Sequence, residues 1–182
     1  PCISTVAPEG CQRFFSRLLE IKKRIYKDRF QLQFSIHTTD LSQREWLMPV
    51  RKWDFEKIGQ YGEDFYEYGD RKITLNFALV KDAPIDPGVL RRYFRPDIFL
   101  IKITPTNPTH QALKNNVQSH IQSDKQNYEV IEKLRQEGYE VILSIGEYTE
   151  NQIGSNCGQY ITNYQKENFK IENSYTYPLE KV

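Results

Sequence analysis

Apolar and polar residues alternate in short runs along this chain, and between those runs apolar residues recur at three- and four-residue spacing. From Phe30 to His37 the alternation is strict. Phe30, Leu32, Phe34 and Ile36 share one face of a strand, and Gln31, Gln33, Ser35 and His37 the other. Lys72–Val80 repeats the pattern, with Ile73, Leu75, Phe77 and Leu79 opposite Thr74, Asn76 and Ala78. Further strands are expected over Pro1–Val6, Asp97–Thr104 and Tyr139–Ser144. Phe14, Leu18, Ile21 and Ile25 mark a helix, and Asp54 is placed to cap another through Phe55, Ile58, Tyr61 and Phe65. A short helix is expected over Pro87–Phe94. Ser123 or Asp124 is the expected cap of a helix carrying Tyr128, Ile131 and Leu134, which stops at Gly138, a left-handed terminator. Pro105-Thr106-Asn107-Pro108 breaks the chain into a long loop, and the tail after Tyr160 has no clear period. Strands alternating with helices predict an α/β fold with a parallel sheet.

The polar strand faces narrow the choice. In an α/β barrel the strands pack apolar side chains outward against helices and point the other face inward, where bulky apolar residues normally fill the space. Gln31, Gln33, Ser35, His37, Thr74 and Asn76 would make such an interior polar, which requires water or a polar ligand because unpaired buried polar groups are costly. The alternative is an open sheet with one face in water.

Composition limits the classes. The chain has 182 residues, 38% hydrophobic and 27% charged, which suits one domain with a sizeable core. A net charge of +1 makes no case for nucleic acid. Basic clusters at Lys22, Lys23, Arg24, Lys27 and Arg29, and at Arg91, Arg92 and Arg95, read either as solvated helix faces or as a phosphate-binding face. No apolar run approaches the roughly 20 residues of a membrane helix, so no membrane partner is expected. Three cysteines argue against a disulfide framework and for a reducing compartment, with the cytoplasm as the default. A chain that opens on Pro1, without a charged leader, and carries Met48 as its one methionine is expected to be a fragment of a longer protein.

Four polar points fall at the C-terminal ends of predicted strands: Ser4-Thr5, Ser35-Ile36-His37, Asn107 and Cys157. Parallel α/β folds bind ligands at that end, so these groups are expected to converge on one rim. Cys157 lies in Gly154-Ser155-Asn156-Cys157-Gly158-Gln159, where flanking glycines permit close approach of a ligand. It is either a reactive thiol or an ordinary loop cysteine. Cys2 is expected in the core and Cys11 at a helix start. His37, His110 and His120 are too scattered for a metal site. A Cys157–His37 nucleophile–base pair, as in thiol hydrolases, stays open. Ala7-Pro8-Glu9-Gly10 carries a single glycine, which argues against a phosphate-cradling loop after the first strand.

Taken in order, Ser4-Thr5, Ser35-Ile36-His37, Arg44 to Met48-Pro49-Val50, Pro105-Thr106-Asn107-Pro108 and Cys157-Gly158-Gln159 resemble the motifs of RlmN/Cfr-type radical S-adenosylmethionine (SAM) RNA-adenine methyltransferases. The similarity runs from residue 1 to about residue 165. It implies a partial (β/α) barrel of the radical SAM type, truncated at its N-terminal side, over residues 1–165, with a polar C-terminal tail over 166–182. It further implies SAM bound by Ser4, Ser35, Ile36, His37 and Asn107, residue 36 acting largely through its backbone. Cys157 would be the methyl-carrying cysteine. In the family one SAM methylates that sulfur, and a second yields a 5′-deoxyadenosyl radical that activates the methyl group for addition to an adenine carbon.

Several family features are absent. The CxxxCxxC loop that binds the four-iron four-sulfur cluster is missing, as are the Gly-Glu-Pro segment and the resolving cysteine. The expected metal ligands in this fragment are therefore none, and the cluster, its electron donor and the radical chemistry belong to the full-length protein. Ser4-Thr5-Val6-Ala7 lacks the glycine that usually follows Ser-Thr. Thr109-His110-Gln111 replaces Phe-Pro-Gly, and Gly154-Ser155-Asn156 replaces an acidic-Ala-Ala run. These changes fall on the substrate side. The expected partner is RNA; the alternatives are a radical SAM enzyme with another substrate, or a barrel remnant that only binds. An unpaired edge on the first strand is expected to promote self-association.

Overall fold

The alternating segments become neighbours in one sheet. The computed structural model describes residues 1–106, 114, 115, 117, 119 and 128–144. Strands β1 (Cys2–Thr5), β2 (Gln31–Ser35), β3 (Ile73–Ala78), β4 (Phe99–Thr104) and β5 (Val141–Leu143) lie side by side in chain order. Each neighbouring pair is parallel, with Ser4 opposite Gln33, Phe34 opposite Leu75, Asn76 opposite Lys102 and Ile103 opposite Leu143. Right-handed crossovers between strands in this order place their helices on one side of the sheet. The fold is α/β.

Those helices are α1 (Gln12–Ile21), α2 (Leu41–Leu47), α3 (Phe55–Phe65), α4 (Pro87–Tyr93) and α5 (Glu129–Gln136). α1 begins after Cys11 and runs on through a π turn, Lys22–Tyr26, and a 3-10 turn, Lys27–Arg29. Asp54 caps α3 as its sequence position predicts, its carboxylate accepting from the Lys57 amide at 2.8 Å. Asp86 caps α4 in the same way, with Pro87 at the first helical position. α5 ends at Gly138, where φ is +90°.

One buried cluster joins the inner sides of these helices to the apolar face of the sheet. Phe15 and Leu18 of α1, Ile58 and Phe65 of α3, Leu90 of α4 and Leu134 of α5 meet Phe34, Leu75, Phe77, Ile101 and Ile103. α3 sits unusually close to its neighbours because Gly59 and Gly62 face the Tyr93 carbonyl and the Phe99 ring. Among the described residues, no helix is long and apolar enough to cross a membrane.

Four expectations change. Cys2 is exposed rather than in the core, because its side chain lies on the polar face, where Gln33 donates to its sulfur at 3.2 Å. The second strand ends at Ser35, since His37 turns to φ +65° and leaves the ladder. The segment after it, for which the pattern predicts no element, holds α2, capped by Asp40, which accepts from the Gln43 amide at 2.7 Å. The last helix begins after Tyr128; Ser123 and Asp124 lie outside the described residues. The basic clusters also resolve in part. Lys22 is buried against Asp70 and Glu67 and is not free for phosphate, and Arg95 pairs with Asp97 at the surface.

Candidate functional site

The second face of the sheet is polar from β1 to β3, and in β4 it carries Leu100 and Lys102. Parity places Cys2 and Ser4, then Gln31, Gln33 and Ser35, then Thr74 and Asn76, then Lys102 on it. Lys102 is the one formal charge among them. Side-chain hydrogen bonds cross the strands as a ladder. Asn76 Nδ2 donates to Gln33 Oε1 at 3.0 Å and approaches Ser4 Oγ at 3.5 Å. Gln31 Nε2 donates to Thr74 Oγ1 at 3.1 Å and to the Lys72 carbonyl at 2.9 Å. Carboxamides and hydroxyls thus satisfy one another sideways, and the exposed Ser4 hydroxyl with the half-buried Ser35 and Asn76 remains reachable.

At the C-terminal end of the face, the chain turns sharply twice. Ala7, after β1, has φ +55°, and His37, after β2, has φ +65°. Few residues with a Cβ adopt this left-handed conformation, and such outliers concentrate at functional sites. The backbone at Ala7 keeps a shape that glycine would take without strain. The His37 imidazole lies against β3, its Nδ1 accepting from the Ala78 amide at 3.0 Å. Burial, reinforced by the Arg44 guanidinium, pushes the imidazole down to about 4.

Ile36 contributes differently from its neighbours. Its side chain is fully buried, and its amide donates to the Asn76 carbonyl at 2.9 Å, which the His37 amide shares at 3.2 Å. Of its backbone groups, only the carbonyl is left to meet a ligand. Ser4 and Ser35 therefore share one face of the sheet, His37 lies just past the end of β2 against β3, and the Ile36 side chain is buried. Asn107 and Cys157 lie outside the described residues, as do His110 and His120.

Sequence reasoning did not foresee Arg44 in this setting. It is 3% exposed, its Nη1 donates to the Trp53 carbonyl at 3.0 Å, and its guanidinium lies 4.8 Å over the Phe55 ring. Its Nε and Nη2 are buried without partners. The signal was present in Asp40-Leu41-Ser42-Gln43, a capping pattern that starts a helix and seats Arg44 one turn in. Lys102 was missed because its strand reads as largely apolar.

A SAM-like ligand offers a purine edge, ribose hydroxyls, an ammonium and a carboxylate. Hydroxyls at Ser4 and Ser35, the Asn76 carboxamide, the His37 imidazole and the Lys102 cation suit those groups. The cluster is a different matter. Among the described residues, no group of three His, Cys, Asp or Glu is placed to hold a metal, so none of them is assigned to it. No protein-family model matches the chain, and no curated protein matches it.

Proposed function

We propose that this chain is the C-terminal part of a radical SAM enzyme of the RlmN/Cfr type, and that its polar sheet face holds the nucleoside and amino-acid portions of SAM. The carrying observation is that Ser4 and Ser35 stand with Gln33 and Asn76 on one face of a parallel sheet whose opposite face is packed with helices, with His37 just past the end of β2. Strands in chain order with helices on one side suit a partial barrel with this face as its interior. In the full-length protein, cysteines outside this chain would bind the four-iron four-sulfur cluster, which supplies the electron that activates SAM. Cys157 would carry the methyl group to an RNA adenine.

Calorimetric titration of SAM into the chain tests the binding claim. Saturable binding that His37→Leu or Asn76→Ala weakens by tenfold or so supports it; binding unaffected by both variants removes the assignment to this face. For the chemistry, full-length protein reconstituted anaerobically with labelled SAM is expected to bear methyl on Cys157, and undiminished transfer by Cys157→Ala ends the methyl-carrier role. The altered residues after Asn107 and before Cys157 favour a second substrate class. SAM cleavage that leaves every RNA unmodified would select it.

A further inference from the structure

We infer that His37 is the fixed hydrogen-bond donor of this site: its proton is held on Nε2, so the imidazole reads an acceptor on the ligand. This deepens the function proposed above and rests on it only for the identity of the ligand.

The backbone carries the assignment. A peptide N–H can only donate, so the Nδ1 that receives the Ala78 amide at 3.0 Å must present a lone pair. In a neutral imidazole the proton is then on Nε2. The β2–β3 register runs to Ser35 opposite Asn76, and His37 departs from the ladder at φ +65°. Nδ1 thus replaces the carbonyl that a continuing strand would have offered to Ala78. The ring is anchored by its inner nitrogen, and the outer nitrogen is the one left for a ligand.

Burial of the ring is the main reason it stays neutral, and Arg44 adds to it. Its guanidinium is buried, makes one hydrogen bond to a neutral carbonyl, and forms no ion pair among the described residues. Among those residues it is the charged group whose field reaches His37, and Glu45 and Asp54 act on it in turn. Protonating Nδ1 would set two donors head to head at Ala78 and place a second cation near the first.

One consequence separates two chemistries. With Nδ1 occupied and Nε2 protonated, His37 has no lone pair to take a proton from a thiol. A Cys157–His37 nucleophile–base pair is therefore excluded while this arrangement stands.

Long-range proton–nitrogen correlation on the uniformly labelled chain tests the assignment. The chain has three histidines, and His37→Gln identifies the signal of interest. The expected result is an Nε2–H tautomer for His37 that persists from about pH 8 to about pH 5. A protonated Nδ1, or a midpoint near the ordinary 6.5, overturns the donor assignment whether or not SAM binds. If the tautomer is found and SAM does not perturb the Nε2–H signal, the donor stands and the SAM function falls.

Discussion

Asn76 Nδ2 and Gln33 Oε1 lie 3.0 Å apart and join β3 to β2 on the polar face. The bond fixes which way both carboxamides point. The Asn76 oxygen is then the acceptor turned away from Gln33, so the same contact that ties two strands also presents a group to a ligand.

Asn76→Ala is expected to cost about 1 kcal/mol of stability, the net worth of a partly exposed hydrogen bond, while reducing SAM affinity more than that. Urea denaturation beside calorimetry separates the two effects. Equal losses in both would make Asn76 structural alone.

Lys102 is opposite Asn76 and is the charge on this face. Lys102→Met is expected to weaken SAM binding and to flatten its dependence on salt, because the ammonium is the natural partner of the ligand carboxylate. Unchanged salt dependence would remove Lys102 from the site.

His37 makes stability depend on pH. Its imidazole is held at about 4 in the folded chain against 6.5 when free, so between those values the unfolded chain binds the extra proton. Folding is therefore weakened as pH falls below 6.5, and the loss levels off below about 4, for a total on the order of 3 kcal/mol. His37→Gln is expected to remove the decline between 6.5 and the onset of carboxylate titration. Parallel wild-type and variant curves would contradict this.

A Cβ at position 62 would come within 2.1 Å of Phe99 Cζ, and one at 59 within 2.3 Å of the Tyr93 carbonyl oxygen. Gly62→Ala meets a ring that has to shift, and Gly59→Ala meets backbone. Each is expected to destabilise by about 2 kcal/mol or more, with Gly59→Ala the worse because backbone yields less readily. Thermal melting of both variants checks the order.

Lys22 is 1% exposed and bonded to Asp70 and Glu67. Lys22→Met leaves the Asp70 carboxylate nearly buried without its cation, at an expected cost of about 3 kcal/mol. Adding Asp70→Asn is expected to restore part of that. A double variant less stable than Lys22→Met alone would show that the cost lies in packing.

Among the described residues β1 pairs on one side only. Self-association of the isolated chain through that edge is expected, and light scattering that gives a clean monomer would contradict it.

Alternation along Phe30–His37 and Lys72–Val80 was sufficient to predict two strands, their apolar faces and the polar face opposite, because period two is a local property of the chain; that they are parallel followed from the helices between them. Asp54 as a cap and Gly138 as a stop were legible for the same reason. Which end of His37 would carry a proton, where Arg44 would be buried and how Gln33 and Asn76 would turn their amides depended on contacts between residues tens of positions apart. Sequence determined the strands and their two faces; tertiary structure alone decided which polar groups on one face were spent on each other and which were left for a ligand, because hydrogen bonds are allotted by distance in space.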